Sequence, residues 1–335
     1  MLEKPEDEDA LIVSSVQETY GLRVLRLEFL PLGADANTAA FRLDSANGEA
    51  YFLKLRSGEF DSMSVAVPRF LRDSGIHQVM TPIAAADGQL TLTLAMHQLI
   101  LYPFVNGRNA IEAPLAEEQW VEFGSALRRV HDSEAPTGFS KRVSREQFSP
   151  HWREGVRRYL ARPPQSGDDS VAADTTAVLR IHRNEIEEIV DRADELSSHI
   201  RCAGGAFVLC HGDIHAWNVL TTDDGGFLIV DWDTLVFAPR ERDLMFIGSG
   251  IGGVWHTRNE SSSFYEGYGP IEIDQAHLAY YRYERIVQDI AEFCEEIYRS
   301  TVSTKDRRQA LGYFEDHFKH SRTVSIAHET YSALG

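Results

Sequence analysis

The segment His211-Gly212-Asp213-Ile214-His215-Ala216-Trp217-Asn218 places a carboxamide five residues after an acid, and Ile229-Val230-Asp231-Trp232-Asp233 adds a second acid at the end of an apolar run. These parts suit transfer of a phosphoryl group to an alcohol. One carboxylate can orient the attacking hydroxyl and accept its proton, while an anionic and a neutral hard oxygen suit Mg2+. Asp and Asn are also common in polar turns, where they cap the backbone. The His-x-Asp opening, the apolar flanks and the strand-ending Asp231 favour chemistry over a plain turn. No soft metal site competes, because Cys202, Cys210 and Cys294 form no Cys-x-x-Cys pair, and an odd count argues against a disulfide framework.

Lysine usage adds a second clue. Only five of the 33 basic residues are lysines, and Lys54 lies inside the hydrophobic run Tyr51-Phe52-Leu53-Lys54-Leu55. A charge there is costly unless paired. Alternation alone would put Lys54 on the strand face opposite Leu53 and Leu55. Beside Asp213, it reads as the strand lysine that reaches the nucleotide phosphates in kinases.

The elements that must position these groups fall into two halves. Strands are predicted over Leu27–Pro31, Ala39–Leu43 and Glu49–Leu55, with a turn at Leu32-Gly33-Ala34-Asp35-Ala36-Asn37 between the first two. Asp61 is placed to cap a helix reaching Asp73, although Pro68 falls within it. A hairpin of Val79–Ile83 with Leu90–Leu94 then leads to the apolar strand Leu99–Tyr102, and Pro103 to Gly107 reads as a connector. Beyond Gly107 the pattern turns helical. Trp120, Phe123, Leu127 and Val130 recur at three and four residues within Ala116–His131, and Val156–Leu160, Val178–Ile200, Ile273–Arg299 and Lys305–Phe318 are further helices. Short strands are expected at Phe207–Cys210 and Phe227–Val230. The expected layout is α+β: a small β-rich lobe over residues 1–101, a hinge over 102–107 and a larger, mostly helical lobe over 108–335.

These residues resemble the aminoglycoside phosphotransferase family, whose bilobal fold is similar to that of the protein kinases. The resemblance implies that the first lobe binds nucleotide and the second carries catalysis and substrate. It makes Asp213 the catalytic base, gives Mg2+ to Asn218 and Asp231, and sets Lys54 on the phosphates of ATP, with GTP left open. Gly33, Asp35 and Asn37 would lie in the phosphate-covering loop, which lacks a full Gly-x-Gly-x-x-Gly. The Pro103 carbonyl and the Val105 N–H would meet the adenine. A kinase's lysine-pairing Glu would fall near Ser64, which leaves Glu59 or Asp61 as substitutes. His131 and Asp243 are expected to be structural, Asp243 pinning the catalytic loop.

Within the family, phrases such as Ser149-Pro150-His151-Trp152-Arg153-Glu154, Phe264-Tyr265-Glu266-Gly267-Tyr268-Gly269 and Tyr280-Tyr281-Arg282-Tyr283-Glu284-Arg285 resemble the spectinomycin-modifying members. That implies phosphorylation of a hydroxyl, the 9-hydroxyl, of a cationic aminocyclitol, and hence resistance to it. A pocket for such a cation needs carboxylates and an aromatic wall. Asp233, Trp255, Tyr268, Glu284 and Asp289 are the candidates. Arg285 and Asp289 would also serve as an ordinary i,i+4 surface pair.

Composition narrows the range of partners. A net charge of −18, from 33 Lys+Arg and 51 Asp+Glu, disfavours general binding to nucleic acid or anionic membranes. The acidic N-terminus has no secretion-signal character, and the longest apolar stretch, Leu244 to Trp255, is short for a membrane span, so a cytoplasmic protein is expected, monomeric or a weak homodimer. Two other readings stay open: a kinase of another aminocyclitol or small alcohol, and a non-catalytic binding protein on the same fold. The lack of an Ala-Pro-Glu segment after Asp231 disfavours a protein acceptor.

Overall fold

The computed structural model describes residues 4, 9–32, 37–165, 167, 169–203, 206–299, 302–319 and 322–335. They form two compact units, Met1–Arg108 with Thr221–Asp233, and Asn109–Leu220 with Thr234–Gly335. The chain order is α1 (Asp9–Tyr20), β1 (Val24–Leu30), β2 (Thr38–Ser45), β3 (Ala50–Ser57), α2 (Met63–Asp73), β4 (Leu92–Leu94), β5 (His97–Pro103) and β6 (Gly107–Asn109). It continues through α3 (Glu117–His131), α4 (Thr137–Ser140), α5 (His151–Ala161), α6 (Ser170–Ile181), α7 (Arg183–Ala203), β7 (Val208–Cys210), β8 (Val219–Thr222), β9 (Phe227–Ile229) and β10 (Val236–Ala238). It ends with α8 (Glu241–Leu244), α9 (Arg258–Tyr268), α10 (Gln275–Tyr298), α11 (Thr304–Lys319) and α12 (Thr323–Ser332). The result is an N-terminal sheet and a larger helical part.

In the first unit, β1-β2-β3-β5-β4 make a wholly antiparallel sheet. Period-2 alternation sends Ala39, Phe41 and Leu43, then Tyr51, Leu53 and Leu55, then Leu99 and Leu101, to one face, where Ile12 and Val16 of α1 complete a core. Lys54 pairs in register with Ala40 and Ile100, so it projects from the other face, as alternation requires. The Asp61 carboxylate accepts the Met63 N–H at 2.9 Å, starting α2 as expected, and α2 runs on through Pro68.

The expected Val79–Ile83 strand is overturned. Pro82 denies that run a ladder donor, and β4 instead turns through Ala95, in the left-handed region at φ 51°, to pair with β5. Val79 makes only an isolated bridge to Ile229. Helix α1 was not foreseen, since the first hundred residues read mostly as strands. The single helix expected over Val178–Ile200 is two, ending and restarting at His182 without a glycine or proline.

The second unit is organised by α10, which buries residues all round its surface, from His277 to Ile297. Asp274 starts it, its carboxylate accepting the Ala276 and His277 N–H groups. Helices α5, α6, α7, α8, α11 and α12 all pack on it. A helix so enclosed obliges its own charged residues to find partners inside the protein. Helices α3 and α9 approach closely: a Cβ on Gly267 would lie 1.7 Å from the Val121 carbonyl oxygen. No helix among the described residues is long and apolar enough to cross a membrane.

Candidate functional site

Two clusters of charged groups stand out, one in each unit. In the first, the Lys54 ammonium donates to Asp231 Oδ1 at 2.9 Å and to Asp233 Oδ2 at 2.6 Å, and Arg56 bonds the same Asp233 oxygen. Lys54 and Arg56 are two residues apart on β3, hence on one face. The Lys54 side chain is only 12% exposed. Burial alone would lower its pKa, but Asp231 and Asp233 outweigh burial and hold it above the ordinary lysine value.

The acid that pairs with Lys54 is therefore neither Glu59 nor Asp61. Helix α2 carries no acid before Asp73, and at the expected place Ser64 is buried with its Oγ unpartnered. Asp233, expected to meet substrate, is instead held by two cations of its own unit. Asp231 adopts a left-handed backbone at φ 62°, strain that a non-glycine residue tolerates only under constraint. Its carboxylate stays about half exposed, a hard oxygen donor of the kind Mg2+ takes.

Other nucleotide-binding expectations fall nearby in the chain. Gly33 and Asp35 lie outside the described residues. The Asn37 carbonyl accepts from the Ser57 N–H at 2.9 Å and its hydroxyl at 3.0 Å, tying the start of β2 to the end of β3. Pro103 ends β5 and is exposed, the Phe104 N–H bonds the Ala50 carbonyl at 3.1 Å, and Val105 is half-buried.

In the second unit, β7 pairs with β10, and the loop bearing Asp213 leaves the end of β7. Gly212 turns the chain at φ 85° where a Cβ would lie 2.3 Å from the Thr234 carbonyl oxygen, so only glycine fits. Asp243 accepts the His211 and Gly212 N–H groups at 2.8 and 2.7 Å and meets His131 Nε2 at 3.0 Å, while His131 Nδ1 meets the Tyr268 hydroxyl at 2.7 Å. Burial alone would raise the Asp243 carboxyl; His131, His211 and the Gly212 amide outweigh it and lower the pKa. This buried lattice fixes the loop's backbone.

Beyond it, Asn218 Nδ2 donates to the Asp213 carbonyl at 2.8 Å, which leaves the amide oxygen as the end able to ligate a hard cation. The Asp213 carboxylate accepts from Arg285 through Oδ1 and has His215 Nε2 at 3.3 Å from Oδ2. Burial alone would raise its pKa, but Arg285 and then His215 hold the carboxyl well below the usual range.

The remaining substrate candidates are engaged with the interior. Trp255 is buried at φ 54°, packed edge-on to Trp120 with centroids 5.0 Å apart. Tyr268 belongs to the His131 lattice. Glu284 is buried and ion-paired with Arg153, and burial pushes its carboxyl up to about 7 against the pull of that arginine. Asp289 lies between Arg285 Nε at 2.8 Å and His317 Nε2 at 3.1 Å. Each of these acids is inward because α10 is enclosed, which the amphipathic spacing of the sequence did not reveal.

Comparison with known proteins bears on what these clusters do. The model of the family described as the phosphotransferase enzyme family matches residues 28–282. The chain belongs to that family. Among solved structures, this phosphotransferase-family chain is similar to the spectinomycin phosphotransferase APH(9)-Ia in complex with ADP and spectinomycin, at 34% identity and a TM-score of 0.90 over 98% of this chain and 99% of that one. Protein StrN of Streptomyces griseus is 27% identical over 248 residues, 72% of this chain and 75% of that protein. A microcompartment-associated aminopropanol kinase shares the fold, at 16% identity and a TM-score of 0.62 over 97% of this chain and 98% of that one. The fold is thus the protein-kinase-like one of these phosphotransferases.

Next to His215 and along α10 the family member has groups that the sequence did not single out. Trp217 and Tyr313 lie with ring centroids 6.4 Å apart, and Phe293 is 6.2 Å from Tyr313, all half-buried. Glu292, on α10, bonds Gln288 at 2.9 Å; though its side chain reaches solvent, its crowded setting and the charges of Asp289 and Asp213 push its carboxyl up to about 7. Helical spacing from Asp289 to Glu292 was the available signal.

Proposed function

We propose that the protein transfers the γ-phosphoryl group of ATP to a hydroxyl of spectinomycin, the 9-hydroxyl, and so inactivates the antibiotic. The observation that carries this reading is the likeness to a spectinomycin phosphotransferase over almost the whole of both chains. The acidic and aromatic groups on the second unit support it further, because the substrate is an aminocyclitol bearing two cationic methylamino groups. Glu292 and Gln288 would receive an ammonium, with Trp217 and Tyr313 as the ring wall.

In the proposed reaction Asp213 orients the acceptor hydroxyl. The oxygen–phosphorus bond forms as the bond to the β,γ-bridging oxygen breaks, ADP leaves with that electron pair, and the hydroxyl proton passes to the Asp213 carboxylate and on to water. Lys54 fixes the triphosphate. Asn218 and Asp231 are the residues that would hold Mg2+, which when bound neutralises charge on the phosphate oxygens. A carboxylate held as acidic as Asp213 is a weak base, which suits a loose transition state where orientation matters more than early proton removal.

The test is ATP turnover with a panel of aminocyclitols, the modified position being read by NMR. Spectinomycin should stimulate turnover and emerge phosphorylated, and Asp213→Asn should lower kcat by roughly 10²–10⁴ with the fold intact. Stimulation by another alcohol but not by spectinomycin would overturn the substrate assignment. A fully active Asp213→Asn would overturn the mechanism.

A further inference from the structure

Arg285, on α10 of the second unit, is committed to two acids. Its side chain is only 12% exposed, and it divides its nitrogens between two carboxylates, NH1 to Asp213 and Nε to Asp289. Asp289 is held in turn by His317 of α11, and the guanidinium lies over the Phe246 ring, 5.6 Å from its centroid. A chain of contacts therefore runs from α11 through α10 to a loop residue 72 positions away in sequence.

A guanidinium buried only to satisfy Asp289 would need no second acid. Here its terminal nitrogen occupies one particular oxygen of Asp213, Oδ1, and leaves Oδ2, beside His215 Nε2, with lone-pair capacity for another donor. A carboxylate on a loop has freedom about two side-chain bonds. A planar fork anchored at its far end removes that freedom in a way a flexible ammonium cannot.

We propose that Arg285 is a positioning residue for phosphoryl transfer: braced by Asp289 and His317, it holds Oδ1 of Asp213 so that Oδ2 is presented to the acceptor hydroxyl. The proposal rests on the reading of Asp213 as the carboxylate that orients the acceptor. Arg285 touches neither nucleotide nor acceptor in this scheme. Its loss should lower kcat and leave nucleotide affinity alone, since misorienting a reacting group by a fraction of an ångström costs rate.

The experiment compares wild type, Arg285→Ala, Arg285→Lys, Asp289→Asn and Asp213→Asn for ADP release, with spectinomycin and with water alone as acceptor, alongside ADP binding by calorimetry and thermal melts. Arg285→Ala should lose 10- to 100-fold in kcat with its ADP Kd within twofold of wild type. Added guanidinium should recover several-fold of that loss, Arg285→Lys should retain an intermediate rate, and Asp289→Asn should lose less than Arg285→Ala. Wild-type kcat in Arg285→Ala beside an inactive Asp213→Asn would overturn the role of Arg285 while leaving Asp213 in place. A loss in Arg285→Ala recovered by neither guanidinium nor lysine, with a lowered melt, would also overturn it, as a packing effect. A fully active Asp213→Asn would remove the underlying reading instead.

Discussion

Changing Asp233 to Asn removes a negative charge that Lys54 and Arg56 share. The groups are nearly enclosed, with Lys54 and Asp233 side chains 12% and 18% exposed, so the pair differs from an open surface bridge worth 0–1 kcal/mol. At their 2.6 Å separation and an effective dielectric constant of about 20, the Coulomb attraction is roughly 6 kcal/mol. Desolvation of both groups takes back most of that. What remains is of the order of a charge-assisted hydrogen bond, about 2 kcal/mol, and for a chain of 335 residues it corresponds to a fall in Tm of roughly 3 °C. Lys54 keeps Asp231 and swings towards it, so kcat/KM for ATP should fall about tenfold, an effect of about 1.4 kcal/mol. Arg56→Met should do far less, because it leaves Asp233 wholly to Lys54. Scanning calorimetry and a coupled ADP-release assay read both quantities. If Asp233→Asn matched wild type in melting and in kcat/KM, Asp233 would not be the acid that positions Lys54.

Two further outcomes follow from buried contacts of the second unit. The Asp243 carboxyl is held below its unfolded value near 4, so its stabilisation is fully present above that pH and is lost as pH falls through the lower folded value. Urea midpoints of wild type and Asp243→Asn should therefore differ most at neutral pH and converge in acid, and a gap that stays constant down to pH 2 would contradict the assignment. Gly267→Ala sets a methyl 1.7 Å from a backbone oxygen of α3; overpacking of about 3 kcal/mol outweighs the roughly 1 kcal/mol helix preference of Ala over Gly. The net loss should be near 2 kcal/mol by denaturant unfolding, and an unchanged midpoint would show that α3 and α9 separate freely.

Much of the molecule could be read from short-range pattern. The period-2 run around Lys54 foretold β3 and the face from which the lysine projects, because strand geometry leaves no other choice once Leu53 and Leu55 are in the core. The three- and four-residue spacing of Trp120, Phe123, Leu127 and Val130 foretold α3, and the short strands expected on either side of the Asp213 segment are present as β7 and β9. Elements without such a signature escaped: α1 buries only Ile12 and Val16, and the break at His182 interrupts an apolar period that continues across it.

Partnership lay beyond the sequence. Lys54 meets Asp233 across 179 positions and Arg285 meets Asp213 across 72, distances at which nothing local chooses one acid over another. The same holds for Asp289 and Glu284, whose spacing fits an exposed helix as well as a buried one. Residue type and short-range period determine what a side chain can do and which way its element turns it. Only enclosure of β3 and α10 by the rest of the chain decides which opposite charge each must find, since a charge withdrawn from water is tolerated only where the fold delivers a partner.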